Sequence, residues 1–81
     1  MNKNELRRLL MTKHIPSYYY NLDGIGEVDQ RVCLEKKGQE WIVYYSERGK
    51  QFDIKRFSTE NEACEDILKR LVVKYIKYTI R

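Results

Sequence analysis

Residues 41–64 constrain the fold most, because they contain a strand, a tight turn, a second strand and the start of a helix in direct succession. The segment Glu40–Glu47 is rich in β-branched and aromatic residues, which favour strands. Gly49 supplies the permissive backbone that a turn over residues 47–50 requires. The chain then returns as a strand over residues 51–57. This part of the sequence therefore predicts a β-hairpin that leads directly into a helix.

The strand over Glu40–Glu47 has large apolar groups on both of its faces, because side chains alternate along a strand. Trp41, Val43 and Tyr45 share one face, and Ile42, Tyr44 and Ser46 share the other. This pattern predicts a central position in the sheet, with further residues packed against the second face.

The helix after the hairpin has a clear start signal in residues 59–62, which fit a capping box. In such a box the Thr59 hydroxyl accepts a hydrogen bond from a free backbone amide, and Glu62 reaches back to the cap. A broad apolar stripe follows, made of Cys64, Leu68, Leu71, Tyr75 and Tyr78 and flanked by Ile67, Val72 and Ile76. The stripe is typical of contact with a protein core. The turns beyond Val73 are expected to extend past the sheet and to expose Tyr75, Ile76 and Tyr78.

The first half of the chain predicts one more helix. Residues 2–13 are expected to be helical, with Asn2 or Asn4 as the cap and with Leu6, Leu9 and Leu10 on one face. Pro16 is expected to end this helix, because the residue before a proline is disfavoured in the α conformation.

Two further strands are predicted between the first helix and the hairpin. The first covers residues 17–22, which include three consecutive tyrosines, and the second covers residues 27–35. Asp23 and Gly24 form the turn signal between them. The element order is thus helix, four strands, helix in one α+β domain over residues 1–81, since 81 residues allow only one small core. Short connections favour a four-stranded antiparallel meander sheet with both helices on one face.

Composition excludes several classes of function. No apolar run approaches the roughly 18 residues that a membrane span needs, so a cytoplasmic protein with reduced thiols and no membrane partner is expected. Cys33 and Cys64 lie far apart, and His14 is the only histidine, so neither a metal site nor a cofactor is predicted. A nucleophile paired with a base would have to combine a cysteine with His14, without a third orienting group. No catalytic residue is therefore predicted.

The net charge of +4 and the pI of about 9.1 are compatible with nucleic-acid binding. The charges nevertheless follow the dipole of the second helix. Its start is acidic, with Glu60, Glu62, Glu65 and Asp66, and its second half is basic, with Lys69, Arg70, Lys74, Lys77 and Arg81.

The element order also resembles that of double-stranded RNA-binding domains, and I-P-S-Y at residues 15–18 is similar to part of that family's opening. Those domains carry a lysine cluster at the start of the second helix, where this chain carries Glu60 and Glu62. Carboxylates at this position repel phosphates. RNA binding is therefore an alternative to the interpretation that follows, and nucleic acid is not the expected partner.

Three motifs together resemble the small immunity proteins of bacterial polymorphic toxin systems. They are I-P-x-x-Y-Y-x-L-x-G at residues 15–24, W-x-V-Y-Y-x-E-R-G at residues 41–49 and F-x-T-E-x-E-A-C at residues 57–64. The similarity covers about residues 15–71. It implies a stoichiometric inhibitor that protects the toxin-producing cell by binding a cognate toxin domain without catalysis, at its active site or at an exosite.

Protein interfaces favour tyrosine and arginine at their centre and polar groups at their rim. With the resemblance, this preference makes the following residues candidates for partner binding: Tyr19, Tyr44, Tyr45, Glu47, Arg48, Glu60 and Glu62. An ion pair between Glu47 and Arg48 that only fixes the turn is the structural alternative. Because the chain is basic, an acidic patch on the toxin, or contacts beyond its active site, are expected. Homodimerisation through exposed tyrosines stays open.

Overall fold

The computed structural model describes the backbone of residues 1–79 and the side chains of residues 1–73. Helix α1 (Lys3–Thr12) and a short 3₁₀ turn (Ser17–Tyr19) precede strand β1 (Tyr20–Asn21). The remaining elements are β2 (Arg31–Lys37), β3 (Glu40–Glu47), β4 (Lys50–Phe57) and helix α2 (Glu60–Thr79). The four strands form one sheet in the order β1-β2-β3-β4. Two helices and a four-stranded sheet confirm the predicted α+β class.

The sheet is mixed, so the prediction of four antiparallel strands is wrong at β1. Strands β2, β3 and β4 pair antiparallel, as expected for the hairpins. Strand β1 has only two residues and pairs parallel with β2, where Tyr20 lies opposite Val32 and Asn21 lies opposite Cys33.

The buried side chain of Asn21 explains the parallel pairing. Its amide nitrogen donates hydrogen bonds to the carbonyls of Ile25 (2.9 Å) and Glu27 (2.8 Å). Its oxygen accepts hydrogen bonds from the backbone amides of Asp23 and Gly24, each at 3.0 Å. These four bonds fold the segment into a compact loop in place of the predicted hairpin. The chain re-enters the sheet only at Arg31, so β2 starts later than predicted and runs in the direction of β1.

The three consecutive tyrosines do not lie in one strand as predicted. Tyr18 and Tyr19 belong to the 3₁₀ turn, and only Tyr20 enters β1. The ring of Tyr20 is buried, that of Tyr19 is half-buried, and Tyr18 is 61% exposed. Along the chain, the three tyrosines therefore pass from the surface at Tyr18 to the core at Tyr20.

Helix α1 begins as predicted and ends earlier than predicted. Asn2 caps it in a capping box, in which the Glu5 amide donates to the Asn2 side chain at 2.9 Å. At the other end His14 adopts a left-handed conformation with φ 59°, and the amide of Ile15 donates to the carbonyl of Leu10 at 3.0 Å. This left-handed cap ends the helix ahead of Pro16, which was expected to end it.

The main core is one cluster of buried residues from both helices, from the chain around β1, and from β2 and β3. Leu6 and Leu10 come from α1, and the other members are Ile15, Tyr20, Leu22, Val32, Leu34, Val43, Ala63, Cys64, Ile67 and Leu71. The second face carries a smaller cluster of Cys33, Ile42 and Tyr44, against which Val28 packs. The expectation that something covers the second face is thus confirmed, since the segment before β2 supplies Val28.

Strand β4 is an edge of the sheet, and its residues from Lys50 to Arg56 are all exposed. It contains a bulge, because Asp53 and Ile54 together oppose Tyr44 of β3, and Asp53 has φ 52°. Arg70 of α2 donates a hydrogen bond from Nη2 to the Asp53 carbonyl at 2.7 Å. Bulges of this kind bend an edge strand and discourage pairing with other chains.

Candidate protein-binding site

The turn between β3 and β4 is made of two residues, Arg48 and Gly49, since Glu47 pairs with Lys50 across the hairpin. Both turn residues have positive φ angles, 52° and 77°. Turns of this kind match the twist of the flanking strands and favour Asn or Gly at both positions. Arginine is uncommon in a left-handed conformation, because its Cβ approaches the following carbonyl. The exposed side chain of Arg48 is therefore held on a backbone that other residues adopt more easily.

The segment before β2 holds the hairpin tip in place. The backbone amide of Arg48 donates to the Asp29 carboxylate at 2.7 Å. One residue further along, the amide of Gln30 donates to the carbonyl of Ser46, also at 2.7 Å. Asp29 and Arg48 are 19 positions apart in the sequence, so no local pattern indicates this contact.

A cleft of about 460 Å³ lies between the hairpin tip and the 3₁₀ turn, and we call it the hairpin cleft. The Tyr45 hydroxyl donates to Glu47 Oε1 at 3.3 Å within it. The Tyr18 and Tyr19 rings lie 5.0 Å apart between centroids, tilted by 45°. Its lining residues are Tyr18, Tyr19, Asp29, Gln30, Arg31, Tyr45 and Glu47.

The hairpin cleft unites three of the predicted partner-binding residues, Tyr19, Tyr45 and Glu47, with Arg48 at the adjacent tip. Four further lining residues were not predicted: Tyr18, Asp29, Gln30 and Arg31. The three consecutive tyrosines pointed to Tyr18 as a candidate. No local sequence pattern indicated Asp29, Gln30 and Arg31, because their position depends on how the loop after Asn21 folds.

The predicted alternative for Glu47 and Arg48, an ion pair that fixes the turn, is not formed among the side chains that the structure describes. Glu47 instead accepts the Tyr45 hydroxyl hydrogen bond, and Arg48 uses only its backbone amide to fix the turn. The Arg48 guanidinium therefore contributes no ion pair to the turn.

Tyr44 lies on the opposite face of the sheet, so it does not join the hairpin cleft. It was expected to present its ring on a free face, but that ring is only 6% exposed and packs against Cys33 and Ile42. Burial raises the pKa of Tyr44 to about 12, and the nearby Cys33 and Glu35 add to this rise. Tyr44 therefore offers a partner almost no surface in this conformation.

Glu60 and Glu62 lie at the far end of β4 from the hairpin tip, where both carboxylates make intramolecular hydrogen bonds. Glu60 accepts the backbone amide of Lys3 at 3.0 Å and so links the starts of the two helices. Glu62 accepts the hydroxyls of Thr59 (2.9 Å) and Ser58 (3.2 Å), and Thr59 accepts the Glu62 amide at 3.2 Å. Half of the predicted capping box is thus present: the Thr59 hydroxyl accepts the Glu62 amide, while the Glu62 carboxylate reaches the cap hydroxyl in place of the cap amide.

Both cysteines are free and buried, as expected from their positions in the sequence. Burial raises the pKa of each thiol to about 11, so both are protonated at neutral pH. The nearby start of α2 therefore does not activate Cys64. His14 is exposed, and no group of three metal-binding side chains occurs within the described part of the chain.

No protein-family model matches this chain, and no significant match to a curated protein or to a solved structure was found. Among the residues that the structure describes, no helix combines the length and the apolar character that crossing a bilayer requires.

Proposed function

We propose that this protein binds a cognate bacterial toxin domain stoichiometrically and neutralises it without catalysis, as the immunity proteins of polymorphic toxin systems do. The three sequence motifs that resemble this class support the proposal. One of them, W-x-V-Y-Y-x-E-R-G, ends in the Glu47, Arg48 and Gly49 of the hairpin tip. The proposed place of action is the cytoplasm of the toxin-producing cell.

The observation that carries the proposal is the conformation of Arg48. An L-residue in the left-handed region is disfavoured by about 1–2 kcal/mol, and Gly or Asn would lower that cost. The Arg48 side chain is exposed and forms no ion pair among the described residues, so the folded chain gains little from it. Residues held in unfavourable conformations cluster at functional sites. A binding role for the guanidinium accounts for an arginine at this position.

The hairpin cleft supports the same proposal through its composition. Tyrosine and arginine are enriched at the centres of protein interfaces, where they carry most of the binding energy. Tyr19 and Tyr45 line the cleft beside Glu47, and Tyr18 adds a ring that is largely exposed. We therefore take the cleft and Arg48 as the main contact surface for the toxin domain.

We also propose that both helices lie on one face of the sheet. The common cluster of α1 and α2 residues with Val32, Leu34 and Val43 supports this arrangement. In this arrangement the two helices would pack on one face of the sheet and would leave the hairpin end accessible to a partner.

The proposal is tested with the toxin-like domain that it expects to be encoded immediately upstream of the gene. Calorimetric titration at near-physiological salt should give a 1:1 complex with a dissociation constant on the order of 10 nM or lower. Co-expression should restore growth of cells that produce the domain. No such neighbouring domain, or no binding at about 10 μM, would contradict the proposal. Salt-dependent binding of a double-stranded RNA instead would favour the alternative class.

A further inference from the structure

The hairpin cleft contains two carboxylates, Asp29 and Glu47, in a chain whose net charge is +4. Among the side chains of residues 1–73, no Lys or Arg nitrogen lies within 4.0 Å of either one. Each instead accepts a hydrogen bond from an uncharged donor, the Arg48 backbone amide or the Tyr45 hydroxyl. Neither carboxylate of the cleft therefore forms an ion pair with a described lysine or arginine.

Arg31 is the cationic side chain among the lining residues, and its guanidinium is directed to backbone oxygens. Its Nη1 lies 3.5 Å from the Ser17 carbonyl oxygen and 3.4 Å from the Tyr20 carbonyl oxygen. The Arg31 guanidinium forms no ion pair with either carboxylate. The two acidic groups thus remain available to a cation from outside the chain.

The aromatic lining adds a second feature that attracts cations. Tyr18, Tyr19 and Tyr45 border the same cleft as the two carboxylates. The face of an aromatic ring carries partial negative charge and attracts a cation within about 6 Å of the ring centre. Rings and carboxylates in one cleft therefore favour the same kind of ligand.

We infer that the hairpin cleft binds the guanidinium of an arginine on the partner protein. A guanidinium is planar, so it stacks on tyrosine and donates two parallel hydrogen bonds to a carboxylate, whereas an ammonium acts as a point charge. A volume of about 460 Å³ has room for one extended side chain. Because the arginine is assigned to the toxin domain, this inference rests on the proposed function. The inference predicts that the toxin domain presents an arginine to the hairpin cleft and, next to it, an acidic group to Arg48.

A pair of small ligands tests the inference on the whole chain. N-acetyl-arginine amide and its uncharged analogue N-acetyl-citrulline amide are titrated at constant ionic strength, and backbone amide NMR shifts are followed. The arginine ligand should cause saturable shifts at residues 17–19, 29–31 and 45–48. The citrulline ligand should bind at least about fivefold more weakly, because it lacks the charge. Equal binding of the two ligands, or shifts elsewhere in the chain, would overturn the inference.

Two charge-removing variants sharpen the test. Glu47→Gln and Asp29→Asn each keep an oxygen that can accept the existing intramolecular hydrogen bond. Each should weaken arginine binding at least about threefold and leave citrulline binding unchanged. Glu40→Gln is the control for the loss of one negative charge outside the cleft, because Glu40 is an exposed carboxylate at the opposite end of β3, where it pairs with Arg56 at 3.5 Å. Unchanged arginine binding in both cleft variants would overturn the assignment.

Parallel titration with the toxin domain separates this inference from the proposed function. If the domain binds while the arginine ligand does not, the cation site is wrong and the function stands. If the arginine ligand binds in the cleft while the domain does not, the site stands and the function is wrong.

Discussion

The two ends of strand β4 carry similar polar residues that the fold uses in different ways. At the α2 end, Glu60 accepts the amide of Lys3 and so links the two helices. Glu62 accepts the hydroxyls of Ser58 and Thr59, and the Thr59 hydroxyl caps α2. At the hairpin end, the exposed Arg48 side chain forms no ion pair among the described residues, and it lies on a left-handed backbone.

This difference separates residues that stabilise the fold from residues that are available to a partner. The α2 end satisfies backbone amides and hydroxyls that would otherwise lack partners. At the hairpin end, the left-handed conformation of Arg48 costs free energy, and its guanidinium is exposed to solvent. The Glu60 and Glu62 carboxylates, which stabilise the helix starts, therefore differ from the Arg48 guanidinium, which forms no ion pair among the described residues.

The largest expected effect is on toxin binding when Arg48 is replaced. Arg48→Ala should weaken binding about 30-fold or more, near 2 kcal/mol, because an arginine at an interface centre is a frequent hot spot. The melting temperature should change little, since alanine keeps the same Cβ on the same backbone. Calorimetry and thermal unfolding measure the two effects. Arg8→Ala, an exposed arginine on α1, is the matched control and should leave both unchanged. A large loss of stability in Arg48→Ala would instead show that the Arg48 side chain stabilises the folded protein.

Removing the α2 cap should have the reverse effect. Thr59→Ala eliminates the hydroxyl that accepts the Glu62 amide, which should cost about 1 kcal/mol and lower the melting temperature by about 4–8 °C. Toxin binding by the folded variant should stay within about twofold of the parent value. Thr12→Ala is the control, because its hydroxyl donates to the Arg8 carbonyl and caps no free amide. Strongly weakened toxin binding would show that the α2 end also contacts the partner.

The smallest effect comes from relieving the turn conformation itself. Arg48→Asn should raise the free energy of unfolding by about 0.5–1 kcal/mol, because asparagine tolerates the left-handed region better than arginine does. Toxin binding should fall at the same time, since the guanidinium is lost. Thermal unfolding and calorimetry on the same sample compare the two. A variant that is less stable than the parent would contradict the conformational cost assigned to Arg48.

The sequence predicted the elements whose signals are local. The hairpin at Gly49, the Asn2 cap and the Thr59 cap each depend on residues within four positions, and the structure confirms all three. The two-residue β1, its parallel pairing and the bulge at Asp53 were missed. They depend on the buried amide of Asn21 and on Arg70, whose partners are set by the folded chain. The expected exposure of Tyr75, Ile76 and Tyr78 lies outside the described side chains.

The candidate site was predictable to a similar extent. Tyr45, Glu47 and Arg48 were predicted from residue type and from their place near one turn, and Tyr19 was predicted from residue type and an expected place on the free face of the sheet. The structure brings all four to the same end of the sheet. Asp29 reaches that end only because the loop after Asn21 returns the chain to the hairpin. No pattern within the segment before β2 indicates that contact.

Hydrogen exchange of the chain, free and bound to the upstream-encoded toxin domain, tests the central claim most directly. Binding at the hairpin end predicts that amide protection on complex formation concentrates in residues 17–19, 29–31 and 46–50, while residues 58–62 exchange as in the free protein. Protection centred on residues 58–62, with residues 46–50 unchanged, would contradict it.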